Sequence, residues 1–119
     1  MTTGNQGNGG SDGDVRPASA PAKYFMSRLV APRPTFPADA TPEELNAMHA
    51  HALYWRGKIA EGKAIVLGAV ADPAGAWGVG ILRTADLAEA EGLCAADPVI
   101  LEDRGFRCEV LPMMNAIHA

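Results

Sequence analysis

The sequence predicts an α+β domain with the element order β-α-β-β-α-β. Four short runs are rich in apolar and β-favouring residues, and two segments combine helical spacing of apolar residues with helix-start signals. An Asp-Pro-Ala-Gly turn joins the second apolar run to the third, which indicates a β-hairpin. With 119 residues, the chain has room for one such domain.

The first strand is predicted over Lys23–Val30, where β-favouring residues predominate. Three prolines interrupt residues 31–41, so neither a strand nor a helix can continue there. A helix then begins after Thr41, because a proline follows it and Glu44 completes a capping box. We expect this helix to run up to Gly62, which has the position of a C-terminal capping glycine. One apolar stripe with 3-4-3-4 spacing follows the helix: Leu45, Met48, Ala52, Trp55 and Ile59.

The second half of the chain repeats the pattern of strands and a helix. Apolar residues 64–70 and 77–83 form the predicted hairpin, and residues 72–75 form its turn. A second helix is predicted over residues 84–94, and the last strand over residues 106–113.

This element order is that of the ferredoxin-like fold, a four-stranded antiparallel sheet with two helices on one face. The other face would expose valine, isoleucine and tryptophan side chains to water. Such apolar patches are usually covered by a partner. We therefore expect a homodimer in which two sheets pack face to face, with clefts between helix and sheet.

Residues 1–22 have a different composition from the rest of the chain. Five of the 13 glycines lie in the first 13 positions, and the stretch has no aromatic residue and no Leu or Ile. It cannot bury enough apolar surface to offset the entropy of ordering. We therefore expect a disordered tail, followed by a domain over residues 23–119.

Charge and composition exclude several classes of protein. The formal net charge is −4, which disfavours nucleic-acid binding, since that affinity depends on Lys and Arg. No apolar run is long enough to span a membrane, and no secretory or transit signal is evident, so we expect a cytoplasmic protein. Cys94 and Cys108 lie too far apart for C-x-x-C chemistry, and their apolar surroundings predict buried free thiols. We expect neither a metal ion nor an organic cofactor.

His51 is the main candidate for chemistry. It follows Met48 by three positions and precedes Trp55 by four, so on the helix it borders the apolar stripe and faces the domain. His49 lies on the flank that faces water. The two histidines point about 200° apart around the helix, which prevents them from binding one metal ion. Taken by itself, the position of His51 is more typical of a structural histidine than of a catalytic one.

Two carboxylates are candidate partners of His51, and each directly precedes a proline. For Asp72 a turn is the simpler interpretation, because Asp-Pro is typical of turns. Asp97 is predicted to close the second helix, where a negative charge opposes the helix dipole. A residue placed against that preference more often has another role. Either aspartate, held beside His51, would orient the imidazole as a general base, and the residues alone leave open which one does.

Three further residues are candidates for substrate contact. Trp55 would form a wall of the pocket, and Asp72 remains a candidate if it does not serve only the turn. Arg28, or Arg107, would hold an anionic group of a ligand. A solvated strand edge is the simpler interpretation for both arginines.

Taken together, the motifs resemble the YciI-like (YCII-related) family of the dimeric α+β barrel superfamily. The resemblance covers the chain from about Tyr24 to Met114. No single motif is diagnostic, but their order and spacing are specific. They are Met48-x-x-His51-x-x-x-Trp55, Glu61-Gly62-Lys63, Leu67-Gly68-Ala69-Val70-x-Asp72-Pro73-x-Gly75, Gly78-x-Gly80, Ala96-Asp97-Pro98 and Phe106-Arg107-x-Glu109-x-x-Pro112-Met113.

The resemblance implies a ferredoxin-like domain that dimerises through its sheets into an α+β barrel, with a His-Asp pair in a cleft. In this sequence the pair corresponds to His51 and Asp97. We therefore expect a cofactor-independent enzyme that performs acid–base chemistry, such as elimination, dehydrochlorination or isomerisation, on a small cyclic or aromatic molecule. The alternative is a dimeric module that binds a small ligand, or assists a pathway, without catalysis.

Overall fold

The structure, a computed structural model, describes residues 22–119 of the chain. The predicted disordered tail falls almost wholly on residues 1–21, which lie outside the described residues.

The α+β prediction is confirmed. The elements are β1 (Lys23–Val30), α1 (Pro42–Ala60), β2 (Ala64–Val70), β3 (Trp77–Thr84), α2 (Leu87–Ala95), α3 (Pro98–Leu101) and β4 (Arg107–Pro112). The strands form one sheet in the order β2-β3-β1-β4, and all neighbours are antiparallel. This is the strand arrangement of the ferredoxin-like fold, with β1 and β3 in the centre.

The two faces of the sheet differ because side chains alternate along each strand. On β1 the buried residues Phe25, Ser27 and Leu29 face the helices, and they pair with Pro112, Val110 and Cys108 of β4. The opposite face, here called the open face, carries Met26, Arg28, Val66, Trp77, Val79, Ile81 and Leu111. The open face is the surface that the sequence assigns to a dimer partner.

The start of α1 has the predicted capping box. The backbone N–H of Glu44 donates to Thr41 Oγ1 at 3.1 Å, and the backbone N–H of Thr41 donates to Glu44 Oε1 at 2.9 Å. These two hydrogen bonds satisfy two backbone N–H groups of the first turn that have no partner within the helix. At the other end of α1, Gly62 adopts the left-handed conformation, with φ of 79°, that terminates a helix.

The second helix begins three residues later than predicted, at Leu87. Thr84 is the last residue of β3, and its buried hydroxyl donates to the Asp86 carbonyl at 2.9 Å. Asp86 is the N-cap: its side chain accepts from the backbone N–H of Glu89, whose carboxylate accepts from the backbone N–H of Ala85, both at 2.9 Å. The Asp86-x-x-Glu89 spacing is the signal of this helix start in the sequence, although Glu89 accepts from the residue before the N-cap and the pair is therefore not a full capping box.

The position of Asp97 also differs from the prediction. Ala96, not Asp97, is the C-cap of α2, and Asp97 is the N-cap of the short helix α3. Its Oδ1 accepts from the backbone N–H of Val99 at 3.0 Å. The carboxylate therefore lies at the start of a helix, where the backbone favours a negative charge, and not at an unfavourable helix end. Asp97-Pro98 repeats the cap-then-proline pattern of Thr41-Pro42.

Among residues 22–119, no helix has both the length and the apolar character needed to cross a bilayer.

Candidate functional site

A cleft of about 530 Å³ lies between α1, the helix-facing side of the sheet and residues 31–37. Its walls are mostly apolar and include Phe36, Leu45, Met48, Ile59, Leu67 and Phe106. The predicted apolar stripe of α1 lines this cleft, so Leu45 and Ile59 remain 55% and 42% exposed. The residues of α1 that enter the core are Ala47 and Trp55. The stripe therefore indicates a binding surface as much as a packing surface.

His51 and Asp97 meet in the wall of the cleft. Nδ1 of His51 lies 2.6 Å from Oδ2 of Asp97, and both residues line the cleft. The Asp97 side chain is 3% exposed and that of His51 is 17% exposed. The carboxylate is therefore sealed behind the imidazole, and His51 is the member of the pair that a ligand can reach.

Asp97 is held by three donors from two elements. Its Oδ2 accepts from Trp55 Nε1 at 2.7 Å in addition to His51 Nδ1, and its Oδ1 accepts from the backbone N–H of Val99. A buried carboxylate needs such donors to offset the loss of hydration. With both oxygens engaged, the carboxylate has a fixed orientation toward His51.

The hydrogen bonds also define the state of the imidazole. A carboxylate accepts, so Nδ1 of His51 carries the hydrogen in this contact. In the neutral ring Nε2 then has the free lone pair, and no residue among those described hydrogen-bonds to it. Nε2 is thus available to accept a proton from a molecule in the cleft.

Trp55 is oriented from a second direction by Tyr54. The two rings meet edge to face, with centroids 5.1 Å apart and planes at 89°. The Tyr54 hydroxyl donates to the Leu93 carbonyl at 2.6 Å, which ties α1 to α2. Burial, followed by the charge of Asp97, raises the pKa of Tyr54, so it remains a neutral donor. The tryptophan that binds Asp97 therefore has a fixed ring position.

Asp72 and Arg28, two predicted substrate contacts, lie away from the cleft. Asp72 is the hairpin-turn residue: it accepts from the Ala74 backbone at 2.8 Å and from Trp77 Nε1 at 3.1 Å. Those hydrogen bonds lower the pKa of Asp72. Arg28 lies on the open face, because it alternates with Ser27 and Leu29, and its guanidinium stacks on the Trp77 ring at 4.5 Å. The structure thus brings His51 to Asp97 and not to Asp72.

Trp55 does line the cleft, but as a buried residue that is 3% exposed. Its polar atom contacts Asp97, so it both closes the cleft and positions the carboxylate.

The cleft contains three polar side chains that the sequence interpretation did not assign to it: Ser27, Arg56 and Cys108. Ser27 is 5% exposed, and it lies between Phe25 and Leu29 on the inward face of β1. A hydroxyl at an inward strand position is the signal that would have identified it. Arg56 directly follows Trp55 on α1 and lies outside the apolar stripe. Whether its side chain lines the cleft depends on which side of the helix the cleft occupies, and the sequence pattern does not give this.

An ion-pair network holds the loop that forms the rim of the cleft. Arg33 donates to both carboxylate oxygens of Glu44, at 2.8 and 2.7 Å, and contacts Asp39 at 3.0 Å. The hydrogen bond from Arg33, then that from the Thr41 backbone, lowers the pKa of Glu44 from 4.5 to about 2. These contacts tie residues 33–39 to the start of α1, and so hold Phe36 at the rim.

The described residues contain no cluster of His, Cys, Asp and Glu side chains suited to a metal ion.

The comparison with known protein families agrees with the sequence resemblance. Residues 26–114 match the model of a family described as the YCII-related domain. No curated protein matches the chain. Among solved structures, the chain is similar to an uncharacterized protein, TM1266, from Thermotoga maritima. The TM-score is 0.44 and the identity 12%, and the alignment covers 77% of this chain and 98% of that chain.

Proposed function

The chain belongs to the YCII-related domain family, and from its cleft we propose an enzyme that transfers protons on a small, largely apolar cyclic or aromatic molecule. His51 is the general base. The observation that carries this proposal is the 2.6 Å contact between His51 Nδ1 and the buried Asp97 carboxylate in the wall of an open cleft.

The two ring nitrogens of His51 have different roles in the proposed reaction. Nε2 accepts a proton from a C–H or O–H group of the substrate, and the ring becomes an imidazolium. Asp97 accepts the Nδ1 hydrogen and stabilises the positive charge, while the Trp55 and Val99 donors keep its oxygens in place. Asp97 is a positioning residue, because its 2% exposure keeps it from the substrate.

The proton that His51 removes is transferred onward in one of two alternative ways, which correspond to two reaction types. In an elimination, the carbanion or enolate formed by proton removal expels a leaving group on the neighbouring carbon, and the imidazolium protonates that group. In an isomerisation, the imidazolium returns the proton to another carbon. In both cases the electron pair of the broken C–H bond stays in the substrate, and in the elimination the leaving group departs with the pair of its own bond, so no oxidant or reductant is consumed.

The lining of the cleft supports the substrate class. Most of the side chains that line the cleft are apolar. The few polar ones include Ser27, His51, Arg56 and Cys108. Pockets of this kind bind an apolar body and orient it by a few hydrogen bonds. We propose that Ser27 or Arg56 binds the substrate oxygen on which negative charge develops.

Deuterium exchange tests the proposal without knowledge of the full reaction. Small cyclic acids, cyclic ketones and phenols are incubated with the protein in D2O, and loss of proton signals is followed by NMR. The expected result is exchange at one acidic C–H, which disappears in His51→Ala. His49→Ala is the matched control, because His49 is an exposed histidine on the same helix and should not affect exchange.

The alternative function is a module that binds a small ligand without catalysis. It has the same apolar cleft, and His51 then serves only as a hydrogen-bonding group. Binding detected by saturation-transfer NMR, without exchange of any bound compound, would favour this alternative and contradict the enzyme proposal.

We further propose that two copies of the chain pack through the open face. Leu111 and Val66 on this face are 57% and 51% exposed, an apolar surface that the family resemblance assigns to a second copy. A measured solution mass of one chain would contradict this part of the proposal.

A further inference from the structure

A buried hydroxyl group in the cleft has no hydrogen-bond partner in the fold. Ser27 is 5% exposed and lines the cleft, and among residues 22–119 no side chain or backbone group hydrogen-bonds to its Oγ. In the same part of the chain, the polar side-chain atom that is both sealed from solvent and unpaired is Arg28 Nε. Ser27 Oγ therefore meets open space, which at this residue is the cleft. A buried polar group without a partner costs free energy until it finds one.

The space for this hydroxyl is left by Gly80. Ser27 of β1 and Leu67 of β2 pair with Gly80 of β3 from its two sides, so all three residues face the helices. A Cβ atom placed on Gly80 would overlap Ser27 Oγ and would lie 2.6 Å from Leu67 Cδ1. The hydroxyl therefore occupies the space that a side chain at position 80 would need.

Gly78, two residues before Gly80, leaves a second gap on the same side of the sheet. It pairs with Leu29 and Ala69, and it lines the cleft. A Cβ atom placed on Gly78 would lie 3.3 Å from Leu29 Cβ and 3.8 Å from the Gly68 carbonyl oxygen, so there is almost room for it. The cleft thus reaches the backbone of β3 at Gly78, where a ligand can approach the sheet directly.

Arg56 is the other side chain of the cleft that can donate to an oxygen of a ligand. Arg56 is an exposed residue, so its guanidinium is hydrated before a ligand arrives, and a hydrogen bond to the ligand only replaces one to water. The Ser27 hydroxyl has little access to water and no partner in the fold. Ser27 therefore gains more from a ligand oxygen than Arg56 does.

We propose that Ser27 binds the substrate oxygen, that Gly80 positions the Ser27 hydroxyl, and that Gly78 lets the substrate ring rest against the backbone of β3. The ligand class is a ring that carries a hydroxyl or carbonyl oxygen, because a serine hydroxyl both donates and accepts. The role of Ser27 as donor to an oxygen on which charge develops rests on the proposed function. Its role in binding that oxygen does not.

Phenol and toluene test the assignment of Ser27, because the two molecules have nearly the same shape and differ in a hydroxyl or a methyl group. Their dissociation constants for the full chain are measured by NMR titration of the backbone amides. The ratio of the toluene constant to the phenol constant should fall about 2- to 10-fold in Ser27→Ala, which loses one hydrogen bond. Arg56→Ala should leave this ratio unchanged.

Gly80→Ala tests the positioning role. The added methyl group forces the Ser27 hydroxyl to rotate away, so the ratio should fall as it does in Ser27→Ala. In a chain that already carries Ser27→Ala, adding Gly80→Ala should not lower the ratio further. A merely structural role of Gly80 would weaken the binding of both compounds alike and leave the ratio unchanged, which would overturn this part of the proposal.

Gly78→Ala tests contact with the backbone of β3. Its methyl group fits the fold but occupies the floor of the cleft, so both compounds should bind about 10-fold more weakly with no change in their ratio. Gly92→Ala is the matched control, because Gly92 is exposed on α2 with no atom within 4 Å of an added Cβ. It should leave both constants unchanged. Unaltered binding in Gly78→Ala would overturn the contact assigned to Gly78.

Three results would overturn the assignment of Ser27: a ratio that Ser27→Ala leaves unchanged, a ratio that falls in Arg56→Ala instead, or no binding of either compound by the wild type. Failure of the proposed function appears separately. In that case phenol binding depends on Ser27 as expected, but no compound exchanges deuterium.

Discussion

His51 and Trp55, one helical turn apart on α1, donate to the same oxygen of Asp97, at 2.6 and 2.7 Å. Their spacing of four residues places both rings on one side of the helix. The two donors therefore hold the carboxylate between them, and Val99 holds its other oxygen. This triple anchorage makes the orientation of His51 a property of the fold and not of a bound ligand.

Removal of the His51 ring should separate catalysis from stability. In His51→Ala, Asp97 keeps the Trp55 and Val99 donors, and water from the cleft can take the place of the part-exposed imidazole N–H, so the oligomeric state and melting temperature should change little. The exchange rate should fall about 10²- to 10⁴-fold, the usual contribution of a general base. Exchange is measured by NMR and melting by calorimetry. Retained exchange together with a large loss of stability would show His51 to be structural.

The buried hydrogen bond from Trp55 to Asp97 should contribute more to the free energy of unfolding than the part-buried hydrogen bond from Trp77 to Asp72. Trp55→Phe keeps a packed ring but removes one donor from a buried carboxylate, so the free energy of unfolding should fall by about 2 kcal/mol or more. Trp77→Phe is the control, because Trp77 donates to the turn carboxylate of Asp72, where water can replace it. Its loss should stay below about 1 kcal/mol. The free energy of unfolding of both variants is measured by urea denaturation. Equal losses for Trp55→Phe and Trp77→Phe would contradict the role assigned to Trp55.

The Arg33–Glu44 pair should make stability depend on acid pH. The pKa of Glu44 is about 2 in the folded chain, whereas its ordinary value is 4.5. The ion pair therefore contributes its full stabilisation above pH 4.5, and this stabilisation is lost as the pH falls toward 2. The stability difference between the wild type and Glu44→Gln should therefore shrink between pH 4.5 and pH 2. Urea unfolding at a series of pH values measures it.

Glu43→Gln controls for loss of a carboxylate from the same turn of α1. A difference for Glu44→Gln that does not vary with pH over this interval would contradict the role of the ion pair.

Two leucines of equal exposure test the dimer interface. Leu111 lies on the open face and Leu53 on α1, and both are 57% exposed. Leu111→Asp should convert a dimer to a monomer, because a charge would be buried between the sheets. Leu53→Asp should leave the dimer intact. Light scattering after size-exclusion chromatography measures both masses. Dissociation by Leu53→Asp alone would move the interface to the helix side.

Local signals in the sequence were sufficient for most of the fold. Proline and glycine positions, the Thr41–Glu44 capping box and the turn at Asp72 act over a few residues, so they can be recognised without the tertiary structure. The start of α2 was misjudged because Thr84 can begin a helix or end a strand. The partner strand β1 decided this by pairing Lys23 with Thr84.

The candidate site was only partly predictable. The helix periodicity placed His51 beside Trp55, and the resemblance indicated Asp97 as its partner. The residues themselves could not distinguish Asp97 from Asp72, since both precede proline and both suit turns. That the stripe of α1 lines an open cleft also depends on how far the helix stands from the sheet, which no local pattern encodes.

The sequence by itself determined the element order, the helix caps and the hairpin turn, because these depend on backbone conformation and on hydrogen bonds between near neighbours. Only the tertiary structure decided which carboxylate meets His51, which face Arg28 occupies and that Cys108 packs against the core cluster that contains Cys94. Each of these is a contact between elements far apart in the chain. Such contacts are determined by the packing of α1, α2 and the sheet as a whole, and not by any one of their sequences.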